Sequence, residues 1–298
     1  MTAVAQERPA PAGAEAEPFG PGSLLWEGIG DVRMMLVLGS ALVEQVAHPQ
    51  IGAAVGQQSV YRSDPWGRLT RSLDSLQKWV YGGEAALAEG RRLRELHKDI
   101  QGVDDQGRRY HALSAEPYAW VFLTAFDRAI TMARYFDTPY DRAGQERLYA
   151  EILRLGRILR VPDRVVPQTV SEYWDYFDDM VAHTLENHPT CHDVLRTALG
   201  VQAPPFVPRS LRAAWVPVGW SSGRFNHFLM VGTLPPALRA KLGLSWTAQD
   251  ERRLRRIGRV IAETVPLLPE RVRYLPIAYH AREAARSRAR LEIALRGR

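Results

Sequence analysis

One cysteine, Cys191, stands in 298 residues, so the chain can close no internal disulfide. Zinc sites built on paired Cys-x-x-Cys motifs are excluded with it. Cys191-His192 is not a Cys-x-x-Cys-His, so covalent attachment of a c-type haem is excluded too. The scarcity of thiols fits a reducing compartment. The sequence also lacks Gly-x-Gly-x-x-Gly after a strand, a P-loop, His-Glu-x-x-His and Gly-x-Ser-x-Gly, so the common nucleotide, zinc-protease and serine-hydrolase signatures do not apply. No apolar run reaches the ~20 residues of a membrane span. The longest, residues 32–47, is interrupted by Ser40, Glu44 and Gln45, and reads as a buried core helix.

What is present is an ordinary globular composition, 46% hydrophobic and 24% charged, with a net charge of +6. Many arginines fall in the last fifty or so residues. They recur at helical spacing between apolar residues, which favours a solvated helix face over a nucleic-acid footprint. The first twenty-two residues are rich in Ala, Pro, Gly and Glu, without the basic and apolar regions of a signal peptide. They read as a disordered arm, and a cytoplasmic location is expected. Residues 23–285 then form one domain, and 286–298 a basic helical tail.

The domain reads as all-α, because helix signals punctuate it throughout. Asp31 caps a helix over 32–47, which Pro49 ends. Asp64-Pro65 opens a helix that closes at Gly82-Gly83. Residues 84–100 form a third, followed by a polar loop with a short hairpin around Asp105-Gln106-Gly107. Ser114 caps a strongly apolar helix, and Asp141 caps one that runs to about Arg160. Residues 171–188 read as helical up to Pro189, and a shorter helix follows. Prolines interrupt 201–218, and the rest is mostly helical. No internal repeat is visible.

Four acids, Glu172, Asp175, Asp178 and Asp179, share one helix. No pair of Glu-x-x-His motifs accompanies them, so they read as a solvated face and not a di-iron site. His97 is more informative. It lies three residues after Arg94 on one helix face, flanked by Leu93 and Leu96, as an axial iron ligand would. Taken alone, a packed histidine remains the commoner case. Arg68, Arg71 and Ser72, at i, i+3 and i+4, form a cationic stripe beside Leu69 and Leu73, suited either to an anionic cofactor edge or to solvent. His48, beside Pro49, either lines the same cavity or closes its helix.

These pieces occur in a telling order: SLLWEGIGDVRMMLVLGSALVEQVAHP, SVYRSDPWGRLTRSLDSLQKWVYG, RRLRELHKDIQGVDDQGRRYHALSAEPYAWVFLTAFD and, more weakly, LPERVRYLPIAYHAR. In that order, over residues 20–285, the chain resembles the MpaB and latex-clearing-protein (rubber oxygenase) catalytic-domain family. The resemblance implies an all-helical domain enclosing a non-covalent haem b. Arg94 and His97 match the proximal arginine and the iron ligand. Arg68, Arg71 and Ser72 match a distal arginine, lysine and threonine, with cofactor contacts also falling to Arg68. The departures are specific. Arg71 replaces a lysine able to cap iron, and a guanidinium cannot ligate. Gln101 replaces an arginine, and Phe122 stands where many members carry histidine.

The implied activity is that of a haem b-dependent oxygenase or oxidase. It would use dioxygen, a small apolar or prenyl-like substrate walled by residues 32–47 and 118–136, and an electron donor. Arg68, Arg71, Ser72 and His48 would be its catalytic residues. Two other readings stay open: a non-catalytic carrier of haem or an apolar ligand, and a helical interaction protein with a basic surface.

Overall fold

A computed structural model describes residues 17–200, 203–205, 207–208, 210 and 212–296. Among these, the chain forms fourteen α-helices and one short antiparallel hairpin. Most of the expected arm, residues 1–16, and parts of the proline-rich 201–218 stretch lie outside the described residues. Phe19, near the end of that arm, is buried under the Arg154 guanidinium, 4.0 Å from its ring centroid.

After α1 (Leu24–Gly28), Asp31 caps as expected, accepting from the Arg33 amide. The turn it opens is a 3-10 segment, Val32–Met34, which leads into α2 (Met35–Val46). Pro49 does stand after this helix, but it also occupies the first turn of α3 (Pro49–Gln58), where a missing N–H costs nothing. The expected cap and proline open α4 (Pro65–Tyr81), with the Asp64 carboxylate accepting from the Gly67 amide. A short turn at Gly82-Gly83 leads to α5 (Ala85–His97). The hairpin pairs β1 (Gln101–Val103) with β2 (Arg109–His111), and Asp104 ties its turn through the amides of Gln106 and Arg108.

The long α6 (Ala115–Phe136) runs through the core, with α7 (Arg142–Ile158) beside it. Residues 171–188 depart from one continuous helix. After α8 (Val170–Asp179) the chain widens into a π turn, Met180–Thr184. The Lys241 ammonium gathers the carbonyls of Val181, Ala182 and Leu185, groups that α-helical bonds would have used. The four acids of α8 are solvent-exposed. α9 (Pro189–Leu199) and α10 (Arg212–Thr233) pack on α2, and the short α11 (Pro236–Lys241) follows. A Thr247–Asp250 capping box opens α12 (Ala248–Thr264). α13 (Glu270–Arg273) and α14 (Pro276–Arg296) return to the start of the chain.

That return is built on Asp31. Its carboxylate holds Arg33 at 2.9 Å and Arg273, 242 residues away, also at 2.9 Å. The Leu275 amide then donates to the Gly30 carbonyl. Gly30 has to be glycine for this closure, because a Cβ would stand 2.2 Å from the Cβ of Ala278.

Between residues 32–47 and 118–136 the expected apolar wall is interrupted by charge. α2 and α6 close directly on each other around charge. Arg128, Glu44 and Asp127 are all buried. The Arg128 guanidinium lies 2.9 Å from Glu44 and against Asp127, and donates to Ser40 Oγ and the Thr233 carbonyl. One buried cation faces two carboxyls, so charge balance is met with a proton on one of them. Burial pushes the Glu44 carboxyl well above the usual range, with the Arg128 charge opposing that rise and Asp127 adding to it. A small apolar cavity does lie between the two segments, lined by Met34 on one side and Ala125, Ala129 and Met132 on the other, with Leu25 and Leu148.

Arg128→Met strands the buried acids and should cost about 3–5 kcal/mol. Glu44→Gln mimics the protonated acid and should cost under about 1 kcal/mol. Urea unfolding of the two variants at neutral pH checks the contrast.

Candidate functional site

The register of α4 against α5 decides what faces His97. The short glycine turn makes the two helices antiparallel neighbours. Ser75 Oγ donates to Glu89 Oε1 at 2.6 Å, and Arg92 Nε donates to the other Glu89 oxygen at 2.8 Å. Glu89 is buried, and the Arg92 hydrogen bond holds its carboxyl at about 2. Two helical turns beyond this clamp, counted backward along α4 and forward along α5, lie Arg68 and the Leu96–His97 step. The clamp therefore sets Arg68 and His97 across from each other. Gly90 lets α5 sit flush on the end of α7, since a Cβ there would lie 2.3 Å from the Ile158 carbonyl oxygen.

His97 Nδ1 lies 2.7 Å from the Leu93 carbonyl. A carbonyl can only accept, so Nδ1 carries the proton and Nε2 keeps a free lone pair. Burial lowers the imidazole pKa, the Leu93 hydrogen bond opposes this, and the Arg68 charge adds to the lowering. A neutral ring with Nε2 as acceptor is the form a metal ligand needs. Behind it lies the buried Tyr118 of α6, edge-on with its centroid 6.5 Å away. The Tyr118 hydroxyl donates to the Leu159 carbonyl. The Arg94 guanidinium covers the Tyr118 ring at 5.7 Å and extends toward the Arg160 carbonyl.

Arg68 touches solvent, yet burial is the first cause of its lowered pKa, with the Arg71 charge second. Ser72 holds it, as the Arg68 guanidinium donates to Ser72 Oγ and that hydroxyl donates to the Arg68 carbonyl at 3.0 Å. No acid pairs with Arg68 among the described residues.

The predicted residues thus divide. Arg68 and Ser72 share the α4 face opposite His97, and Arg94 braces the ring behind it. Arg71 turns back to Asp64, 3.3 Å away on the exposed side. His48 stands apart. Its charged neighbours are Glu186 and Arg108, burial depresses it to about 4, and its Nδ1 has no partner among the described residues. Gln101 sits on β1, where its carbonyl accepts from Gln58. Phe122 is buried against Gly156. Sequence reasoning did not single out Ser75, Glu89 or Tyr118. The Glu89-x-x-Arg92 spacing was a usable sign of the clamp, whereas nothing local marked Tyr118. No cluster of His, Cys, Asp and Glu fit to hold a metal occurs among the described residues, so an iron here would rest on the single histidine and a macrocycle.

The family described as "ER-bound oxygenase mpaB/B'/Rubber oxygenase, catalytic domain" matches residues 26–263. An uncharacterised protein of Mycobacterium bovis is 25% identical over 247 residues, covering 80% of this chain and 91% of that protein. One from Mycobacterium tuberculosis matches to the same extent. No solved structure matches significantly.

Glu89→Gln should lower stability at neutral pH by roughly 1–2 kcal/mol, a value reduced for the exposure of Arg92. The depressed carboxylate stabilises the fold above its unfolded value near 4.5 and loses that contribution as pH falls toward about 2. Denaturation of both proteins across that range should show the gap closing on the acid side.

Proposed function

The chain belongs to the MpaB/rubber oxygenase catalytic-domain family, and from that premise we propose that it is a haem b-dependent oxygenase acting with dioxygen on a small apolar, prenyl-like substrate. The observation that carries the reading is His97. Its Nδ1–H is committed to the Leu93 carbonyl, which leaves Nε2 as the acceptor of the ring, and the Arg68 charge is near enough to lower the imidazole pKa.

The residues present fit the group. His97 Nε2 would ligate the iron, and the Leu93 bond fixes both tautomer and ring orientation. Arg68, a cation with no carboxylate partner among the described residues, would offer hydrogen bonds to a propionate, while Arg94, stacked on Tyr118, would brace the imidazole from behind. When bound, haem supplies the redox chemistry with dioxygen. The chain supplies the rest. Ser72 holds the Arg68 guanidinium through its hydroxyl. Tyr118 closes the space behind the imidazole and limits water there. Arg71, tied to Asp64, adds positive charge at the rim.

His97→Ala should abolish the Soret absorption of the purified or haemin-reconstituted protein while far-UV dichroism stays helical. A wild-type preparation that is colourless and takes up no haemin overturns the proposal. Haem uptake without any consumption of dioxygen in the presence of a reductant would mark a carrier instead of an oxygenase.

A further inference from the structure

The most exposed large apolar side chain of the described residues is Leu267, 82% accessible, in the turn that joins α12 to α13. Leu268, Val272 and Val260 accompany it, at 41%, 58% and 54%. All four belong to the end of α12 and the chain that follows it, and Pro266 and Pro269 between them are also exposed. Burying a leucine is favourable, so a protruding pair at one turn marks a surface that meets something apolar.

The charge around this turn identifies the partner. α12 packs on the body through Leu254, Gly258 and Ile261. Arg252, Arg256 and Arg259, at i, i+4 and i+7, run along its opposite face toward the apolar turn. They and Arg271 form no ion pair among the described residues, whereas Arg255 pairs with Glu251 and Arg273 with Asp31. Glu263 continues the same face, and Glu270 is taken up by Arg282 and Arg286. An apolar tip behind a row of free arginines is the pattern that seats on negatively charged lipid headgroups while leucines enter the acyl boundary. A protein partner would need a broad packed face, which a single protruding turn does not offer. No helix is long and apolar enough to cross a membrane among the described residues.

We infer that the turn between α12 and α13, with the arginine face of α12, docks this protein on an anionic phospholipid surface. This stands independently of the haem reading.

The test is co-sedimentation of the full chain with vesicles of phosphatidylcholine alone and with about one-third phosphatidylserine. Binding should strengthen at least about tenfold with the anionic lipid and weaken in about 0.5 M salt. The double variant Leu267→Asp/Leu268→Asp should lose the binding, with unchanged far-UV dichroism. Arg256→Gln/Arg259→Gln should lower binding to anionic vesicles while leaving the weak binding to neutral ones unchanged. Equal binding to both vesicles, no binding, or a leucine double variant that binds like the wild type overturns the proposal. So does a wild-type dimer in sedimentation velocity that the leucine double variant dissociates, since the patch would then face a second copy.

Discussion

Three helices meet on the guanidinium of Arg128. Ser40 and Glu44 reach it from α2, Asp127 from α6, and the Thr233 carbonyl from the end of α10. A buried cation this well surrounded is weak evidence of added stability, because desolvation offsets much of the attraction. Its effect is on geometry. Any slide of α2 along α6 would strand a charge in the core, so the two helices have one low-energy alignment. α6 in turn carries Tyr118, and through Tyr118 the core sets the depth at which the His97 ring rests.

The outer half of the site follows a different logic. α4 and α5 form a helical hairpin whose register is fixed by Ser75, Glu89 and Arg92, well away from His97 itself. The cations of the site gather beyond the clamp, where carboxylates are scarce. Asp64 takes up Arg71, and Arg68 is left without an acid partner among the described residues. Arg68 is exposed, so solvent satisfies its charge in the free protein.

Much of this was legible in the sequence because it is local. The Asp64-Pro65 cap, the glycine turn and the spacing of Arg68, Ser72, Arg94 and His97 depend on helix periodicity alone. Pro49 was half legible: the rule that proline ends a helix and the rule that it begins one apply to the same residue, and both held. Long-range features were not readable. The π turn at Met180 follows from the arrival of Lys241, sixty residues on. The acidic group in α2 meets Arg128 only in three dimensions, so nothing local announced the buried charge between α2 and α6. His48 looked like a neighbour of His97 because both are histidines near helix ends, yet its charged neighbours come from the hairpin turn and residue 186.

The contact of Ala278 with Gly30, and of its amide with the Gln77 side chain, has a temporal side. A ribosome delivers α4 and α5 early, when their clamp can already form. The helix that covers the other side of α4 emerges some two hundred residues later, and Arg273 reaches Asp31 only then. Until then the hairpin that carries Arg68 and His97 stands with one flank bare, and a chain ending before residue 273 would present these residues on a scaffold that has not closed.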